Sequence, residues 1–330
     1  MVHMKRREFI GVLGGAAIAW PLAARAQQPA VPVIGLIDSH SPDLHANLLR
    51  SFRQGLNETG YVEGRNVAIE YRWSDDRYDR VPELANDLVR RQVTVITTID
   101  GSASALAAKA ATSTIPVTFR IGADPVALGL VASLNRPGGN VTGVTSLTVE
   151  VGPKRLEVLH ELVPTATTMA LLVNPTSPLT ETLSKDLLAA ARILGPRIHV
   201  LHASTERDLS SVFVSLLQLR VGGLVIGSDV FFNSRSEQLA ALTVRHAIPA
   251  VYQYRPFVAA GGLVSYGGSL EDSYRLVGIY TGRVLKGEKP ADMPVQQSTK
   301  VELFINLKTA NALNLTVPNS LLGRADEVIE

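Results

Sequence analysis

The chain has 330 residues, 46% of them hydrophobic and 19% charged, with a formal net charge of +2. That length suggests about two domains with ample core. There is no cysteine, which excludes a disulfide framework, thiolate metal sites, cysteine nucleophiles and lipid attachment through cysteine.

The first residues read as an export signal. Lys5-Arg6-Arg7 is a basic start, an apolar run spans Ile10 to Ala24, and Ala24-Arg25-Ala26 places small residues where a signal peptidase reads. Arg6-Arg7 followed by Phe9-Ile10 also resembles a twin-arginine signal. The run is shorter than the ~20 residues of a membrane span. Residues 1–26 carry four basic side chains against Glu8, a net +3, so the remainder is near −1. Nothing in that balance points to nucleic acid.

From there the sequence alternates strand and helix. Val33–Ile37 is a buried strand ending at Asp38-Ser39, and Leu44, Leu48, Phe52 and Leu56 at spacings of four make a helix ending near Gly60. Val67–Trp73 alternates as a strand, Pro82–Arg91 is a helix, Val93–Ile99 is an apolar strand and Gly101-Ser102-Ala103-Ser104 opens an alanine-rich helix. The stretch 115–146 then predicts a strand (Ile115–Phe119), a polar turn (Gly122 to Pro125), a small amphipathic helix and a strand at Val141–Val144. It forms one wall of a cleft and the start of a hinge, because ligands of open α/β sheets sit past the carboxyl ends of strands.

The second half restarts the pattern. Strands are expected at Thr168–Val173, Ile198–Leu201, Gly223–Ile226, Pro249–Tyr252 and Gly262–Ser265, with helices at Leu179–Leu194, Asp208–Leu219 and Ser234–His246. A helix at Leu270–Leu285, a strand at Val301–Leu307 and a polar tail from Leu321 follow. Two half-chains of this kind make an α/β protein with two doubly wound lobes.

Catalytic motifs are missing. No glycine-rich dinucleotide loop, phosphate loop, nucleophile elbow or zinc helix occurs, and no cofactor or metal is expected. His199 and His202 face opposite sides of their strand. Asp75 and Asp76 belong to a charged stretch expected to be a solvated turn.

Four groups at strand ends are binding candidates: Ser39 and Ser41 beside Asp38; Ser102 and Ala103 at a helix start; Gly122 and Asp124 with Thr145; and Asn174, Ser177 and Asp229 from the second half. The free N–H groups at residues 101–104 suit a carboxylate, unless Ser102 merely caps the helix; Asp100 counts against an anion there. Asp229, with no basic neighbour in sequence, suits a ligand ammonium or else caps the next helix. Tyr252, Tyr254 and Phe231 are candidates for a flat apolar wall or for core.

With those residues in place, the chain resembles the substrate-binding proteins of ABC transporters, in the group linked to aromatic amino acid uptake. The resemblance is carried by Gly55–Val67, Leu106–Pro116, Ala123–Val126, Asn135–Gly143, Gly261–Gly267 and Ile305–Ala310. It implies a type I periplasmic binding protein: two Rossmann-like lobes joined by a three-crossing hinge, monomeric and periplasmic. Such a protein closes on a small ligand, an amino acid or related carboxylate, and delivers it to an ABC permease. Lobe 1 is then expected at 27–145 plus about 267–295, and lobe 2 at 146–266 plus about 296–330.

The resemblance places a ligand carboxylate at Ser102, Ala103 and Asp124, and the ammonium at Asp229. Three positions depart from the pattern: Asp100 where glycine is usual, Arg120 where an apolar residue is usual, and Ala123 where Thr or Gly is common. Arg120 and Asp100 point to a more polar or anionic ligand than an aromatic amino acid. The competing expectations are a sensor feeding a membrane kinase and an exported α/β transferase, against which the lack of a nucleotide loop counts. If the export signal is read correctly, Edman sequencing of protein isolated from cells finds a chain beginning near Gln27; a start at Met4 contradicts it.

Overall fold

The computed structural model describes residues 31–39, 46–146 and 150–330. The expected export signal and Ser41 lie outside them. Five parallel strands, β1 (Val33–Asp38), β2 (Ala68–Trp73), β3 (Val95–Thr98), β4 (Val117–Ile121) and β5 (Val141–Thr145), form the first sheet. Its order is β11-β5-β4-β3-β1-β2, with β11 (Gln296–Gln297) added late in the chain beside β5. Helices α1 (Ala46–Glu58), α2 (Val81–Arg90) and α3 (Ser102–Ala111) supply the crossovers.

Alternation along β1 shows why this sheet is covered on both faces. Ile34 and Leu36 enter one core with Phe52 and Tyr274, while Ile37 enters the opposite core with Leu88 and Phe119.

The second sheet has the order β13-β12-β10-β9-β8-β6-β7. Its parallel part is β6 (Thr168–Val173), β7 (Arg197–His202), β8 (Leu224–Ile226), β9 (Ala250–Tyr252) and β10 (Val264–Gly268). Strand β12 (Val301–Asn306) runs antiparallel to β10, and β13 (Glu327–Ile329) is parallel to β12. The helices here are α4 (Gly152–Leu162), α5 (Thr180–Leu194), α6 (Glu206–Gln218), α7 (Val230–Asn233), α8 (Ser236–Arg245) and α9 (Arg255–Ala259). The chain passes between the sheets after β5, after β10 and after β11.

After β10 the chain returns to the first lobe as α10 (Leu270–Leu285), which packs on α1. Glycine makes that approach possible. A Cβ on Gly55 would stand 1.9 Å from the Arg275 carbonyl oxygen, and one on Gly278 would stand 2.2 Å from that of Phe52. Buried hydroxyls of Thr97, Thr118 and Thr281, linked at 2.9–3.1 Å, tie α10 to β3 and β4.

Two local expectations are corrected. The segment after β4 is a run of turns, not a helix, because Pro125 and Pro137 flank it and Gly129 takes a positive φ of 68°. The expected polar tail holds α12 (Asn319–Leu322) and β13, with Leu321 fully buried. A short helix, α11 (Leu307–Ala312), precedes it, started by the Asn306 side chain accepting from the Thr309 amide. Among the described residues no helix is long and apolar enough to cross a membrane.

Candidate functional site

The carboxyl ends of both parallel sheets meet across one cleft. Its inner compartment, about 40 Å³, is lined by residues that follow β3 (Asp100 to Ala103), β4 (Gly122), β6 (Ser177 to Leu179), β8 (Ser228 to Val230) and β9 (Tyr254). Arg120 of β4, Asn233 at the end of α7 and Tyr78, from the turn after β2, complete it. A wider opening of about 420 Å³ lies farther along, between Asn47 and Arg255. Of the expected ligand residues only Tyr254 reaches it, so the smaller compartment is the candidate site.

Asp229 is 6% exposed and surrounded by neutral donors. Its carboxylate accepts from Asn174 Nδ2 (2.9 Å), from the Phe231 amide (2.9 Å) and, across the cleft, from the Tyr78 hydroxyl (2.7 Å). It therefore caps α7 and also faces the compartment; the two readings of its sequence position coexist. Burial raises its pKa, and the bonds from Asn174, Tyr78, Phe231 and Ser177 only partly oppose that shift. Burial and the facing Asp229 carboxylate push the Tyr78 hydroxyl well above its ordinary value, so it remains a donor.

Opposite stands the start of α3. Gly101 precedes it with φ 87° and supplies no side-chain cap; a Cβ there would lie 3.2 Å from Ser39 Oγ. The first N–H groups of a helix have no intrahelical partner. The alternative that Ser102 caps the helix is corrected: Ser102 is the first helical residue, 3% exposed, and its Oγ has no hydrogen-bond partner. Ser102 and Ala103 thus bring unsatisfied donors to the compartment that Asp229 lines.

The objection from Asp100 is also corrected, because Asp100 is paired. Arg120 Nη1 lies 3.4 Å from its Oδ1, while Arg120 Nη2 donates to the Tyr254 hydroxyl (3.1 Å) and Nε to Ser273 Oγ (3.1 Å). Arg120 is 2% exposed and lies over the rings of Tyr254 and Tyr274, 5.9 and 5.5 Å from their centroids. Burial works against its charge, but Tyr254, Asp100 and Tyr274 outweigh it and hold the pKa above the usual arginine value.

Other expected residues sit elsewhere. Ser39 is fully buried and joins two loops, donating to the Asp100 carbonyl (2.8 Å) and sharing a hydrogen bond with Ser104 (3.0 Å). Asp124 is exposed and caps its own turn through the Val126 amide (2.8 Å), so it is not a lining residue. Thr145 is buried at the hinge, donating to the Ala123 carbonyl (2.8 Å). Asn174 acts through Asp229. Tyr252 is core: its ring stacks on Phe257 at 4.7 Å and its hydroxyl pairs with Thr243. Phe231 is also in that core.

The charged stretch at 74–80, expected to be a solvated turn, is an interlobe contact. Asp76 accepts from Ser234 Oγ (2.7 Å) and Arg235 Nη1 (2.9 Å), and Tyr78 reaches Asp229. The positive φ values of Asp75 and Asp76, 52° and 59°, shape that turn.

Comparison with known proteins identifies the family. Residues 30–329 match the family described as ABC transporter substrate binding protein. The chain belongs to that family. A tyrosine-binding protein from Clostridioides difficile (strain R20291) is 27% identical over 268 residues, 81% of this chain and 76% of that protein. The ABC domain from Streptococcus pneumonia, solved in complex with L-Trp, is 26% identical; the match covers 90% of this chain and 99% of that one, with a TM-score of 0.81. The ligand-free, open structure of a substrate-binding protein with adhesive properties from Clostridium difficile shares the fold at 24% identity and a TM-score of 0.65, covering 91% and 99%. The fold is that of the type I periplasmic binding proteins, and proteins of the family bind a small solute for an ABC permease.

A raised carboxyl pKa has a stability consequence of definite sign. Below the unfolded carboxyl range Asp229 is neutral in both states and costs nothing; its burial penalty appears as pH rises through its folded pKa. Asp229→Asn is therefore expected to melt a few degrees above the wild type at pH 7, with the gap closing toward pH 3.5 in thermal denaturation. A variant melting lower at pH 7 contradicts this.

Proposed function

We propose that the protein captures a free α-amino acid between its two lobes and delivers it to an ABC permease, without transforming it. The carrying observation is a pair of opposed, unsatisfied sites in one compartment. Asp229 has only neutral partners, and the start of α3 presents uncapped amides beside the unpartnered Ser102 hydroxyl. The first suits an ammonium and the second a carboxylate.

Ligand burial between the lobes, with Gly122, Ser177 and Tyr254 as further walls, would supply the rest of the affinity. The relatives named for tyrosine and solved with L-Trp support an amino acid as the ligand class. Export through residues 1–26 and a monomeric state with no nucleic-acid partner belong to the same reading. Titration calorimetry with a panel of amino acids tests it. Asp229→Ala should weaken the best ligand by more than about 2 kcal/mol; unchanged affinity in a folded variant removes the ammonium role.

A further inference from the structure

We propose that Arg120 locks a partition inside the cleft, so that the site selects an α-amino acid with a short, neutral side chain bearing a hydrogen-bond acceptor and rejects aromatic ones. This rests on the amino-acid reading above and narrows it.

Beyond the polar compartment lies a second space of about 110 Å³, whose apolar lining is Leu48, Pro256, Phe257, Leu270 and Tyr274. That is where the ring of an aromatic ligand would find apolar walls. Asp100 and Asn233 with Tyr254 line both spaces and so form the wall between them. Arg120 bonds to two of the three, Asp100 from its own lobe and Tyr254 from the other. Its guanidinium also lies over the rings of Tyr254 and Tyr274, one from each lobe. A ring passing from the polar compartment into the apolar space would have to break these contacts. The compartment is about 40 Å³ as the lobes stand, less than a whole amino acid fills, so the lobes must part to admit one, and a short side chain requires the least parting.

The nature of the side chain follows from counting donors and charges. Arginine carries five N–H donors. Three of Arg120's are committed to Asp100, Tyr254 and Ser273; the other two have no acceptor among the described residues. A ligand acceptor beside Arg120 would satisfy one of them.

That acceptor should be uncharged. Arg120 is balanced by Asp100, Asp229 by the ligand ammonium, and the ligand carboxylate by the start of α3. A second carboxylate would enter a buried site whose lining holds no cation besides Arg120; Arg155 stands behind it, reaching Ser228 Oγ at 3.2 Å, while Asp38 and Asp100, which both act on the Tyr274 hydroxyl, lie near. A hydroxyl or amide side chain fits.

Calorimetry on the folded full chain with serine, threonine and asparagine against phenylalanine, tyrosine, tryptophan and aspartate reads this directly. The wild type is expected to bind at least one of the first three tenfold or more tighter than any of the others. The paired change Arg120→Leu with Asp100→Asn removes both charges together, avoiding a stranded buried ion. It should improve aromatic binding at least tenfold and abolish the preference for the short polar residues. Tryptophan or tyrosine binding to wild type as tightly as serine or asparagine overturns the inference while leaving the amino-acid reading intact. An unchanged ranking in the folded double variant overturns the locking role of Arg120. Failure of every amino acid to bind overturns both. The wild-type ranking decides by itself if the variant does not fold.

Discussion

A carboxylate buried without a cation is the constraint around which this cleft is built. Removing an ionised carboxylate from water is costly unless its lone pairs are satisfied, and the fold meets that cost for Asp229 with three neutral donors: an amide side chain, a helix-start N–H and a tyrosine hydroxyl. Those bonds hold the group in place and orient it. They do not neutralise it, which is why its pKa stays raised. Under the proposed function, the ligand ammonium supplies the missing positive charge.

The same logic couples binding to lobe closure. One of the three donors, Tyr78, belongs to the opposite lobe, and the Asp76 contacts to Ser234 and Arg235 run beside it. The Asp76–Arg235 pair is about one-fifth exposed on each side, so it contributes modestly. Arg120 adds the bond to Tyr254 from deeper in the cleft. Closure thus rests on these polar bonds together with a small apolar cluster of Ala123 and Leu128 against Leu179 and Leu183. A ligand that favours the closed arrangement can shift such a balance, and the three crossings supply the hinge.

Much of the architecture is legible in the sequence because its signals are local. Continuous apolar runs give the buried strands of both sheets, and a four-residue spacing gives α1. The rule that ligands sit past strand ends points to Asp229, Ser102 and Gly122, and all three line the inner compartment. The failures have physical causes. Tyr252 and Tyr254 look equivalent, two residues apart, but β9 ends at Tyr252 and the chain turns into α9, leaving one ring in the core and the other at the cleft. Asp124 spends its carboxylate on its own turn, a choice sequence does not distinguish from ligand binding. Tyr78 escapes notice because its partner is 151 residues away. Asp100 looks like a repulsive charge until β4 brings Arg120 against it.

Asp229 gives the cleft a buried carboxylate whose partners are all neutral. Comparing an amino acid that binds with the same acid lacking its amino group tests this most directly, since the two differ in the ammonium and share the carboxylate and side chain. The deaminated acid is expected to bind at least a hundredfold more weakly to the wild type by titration calorimetry. Equal affinity for the two would contradict the role of Asp229 and the closed cleft built around it.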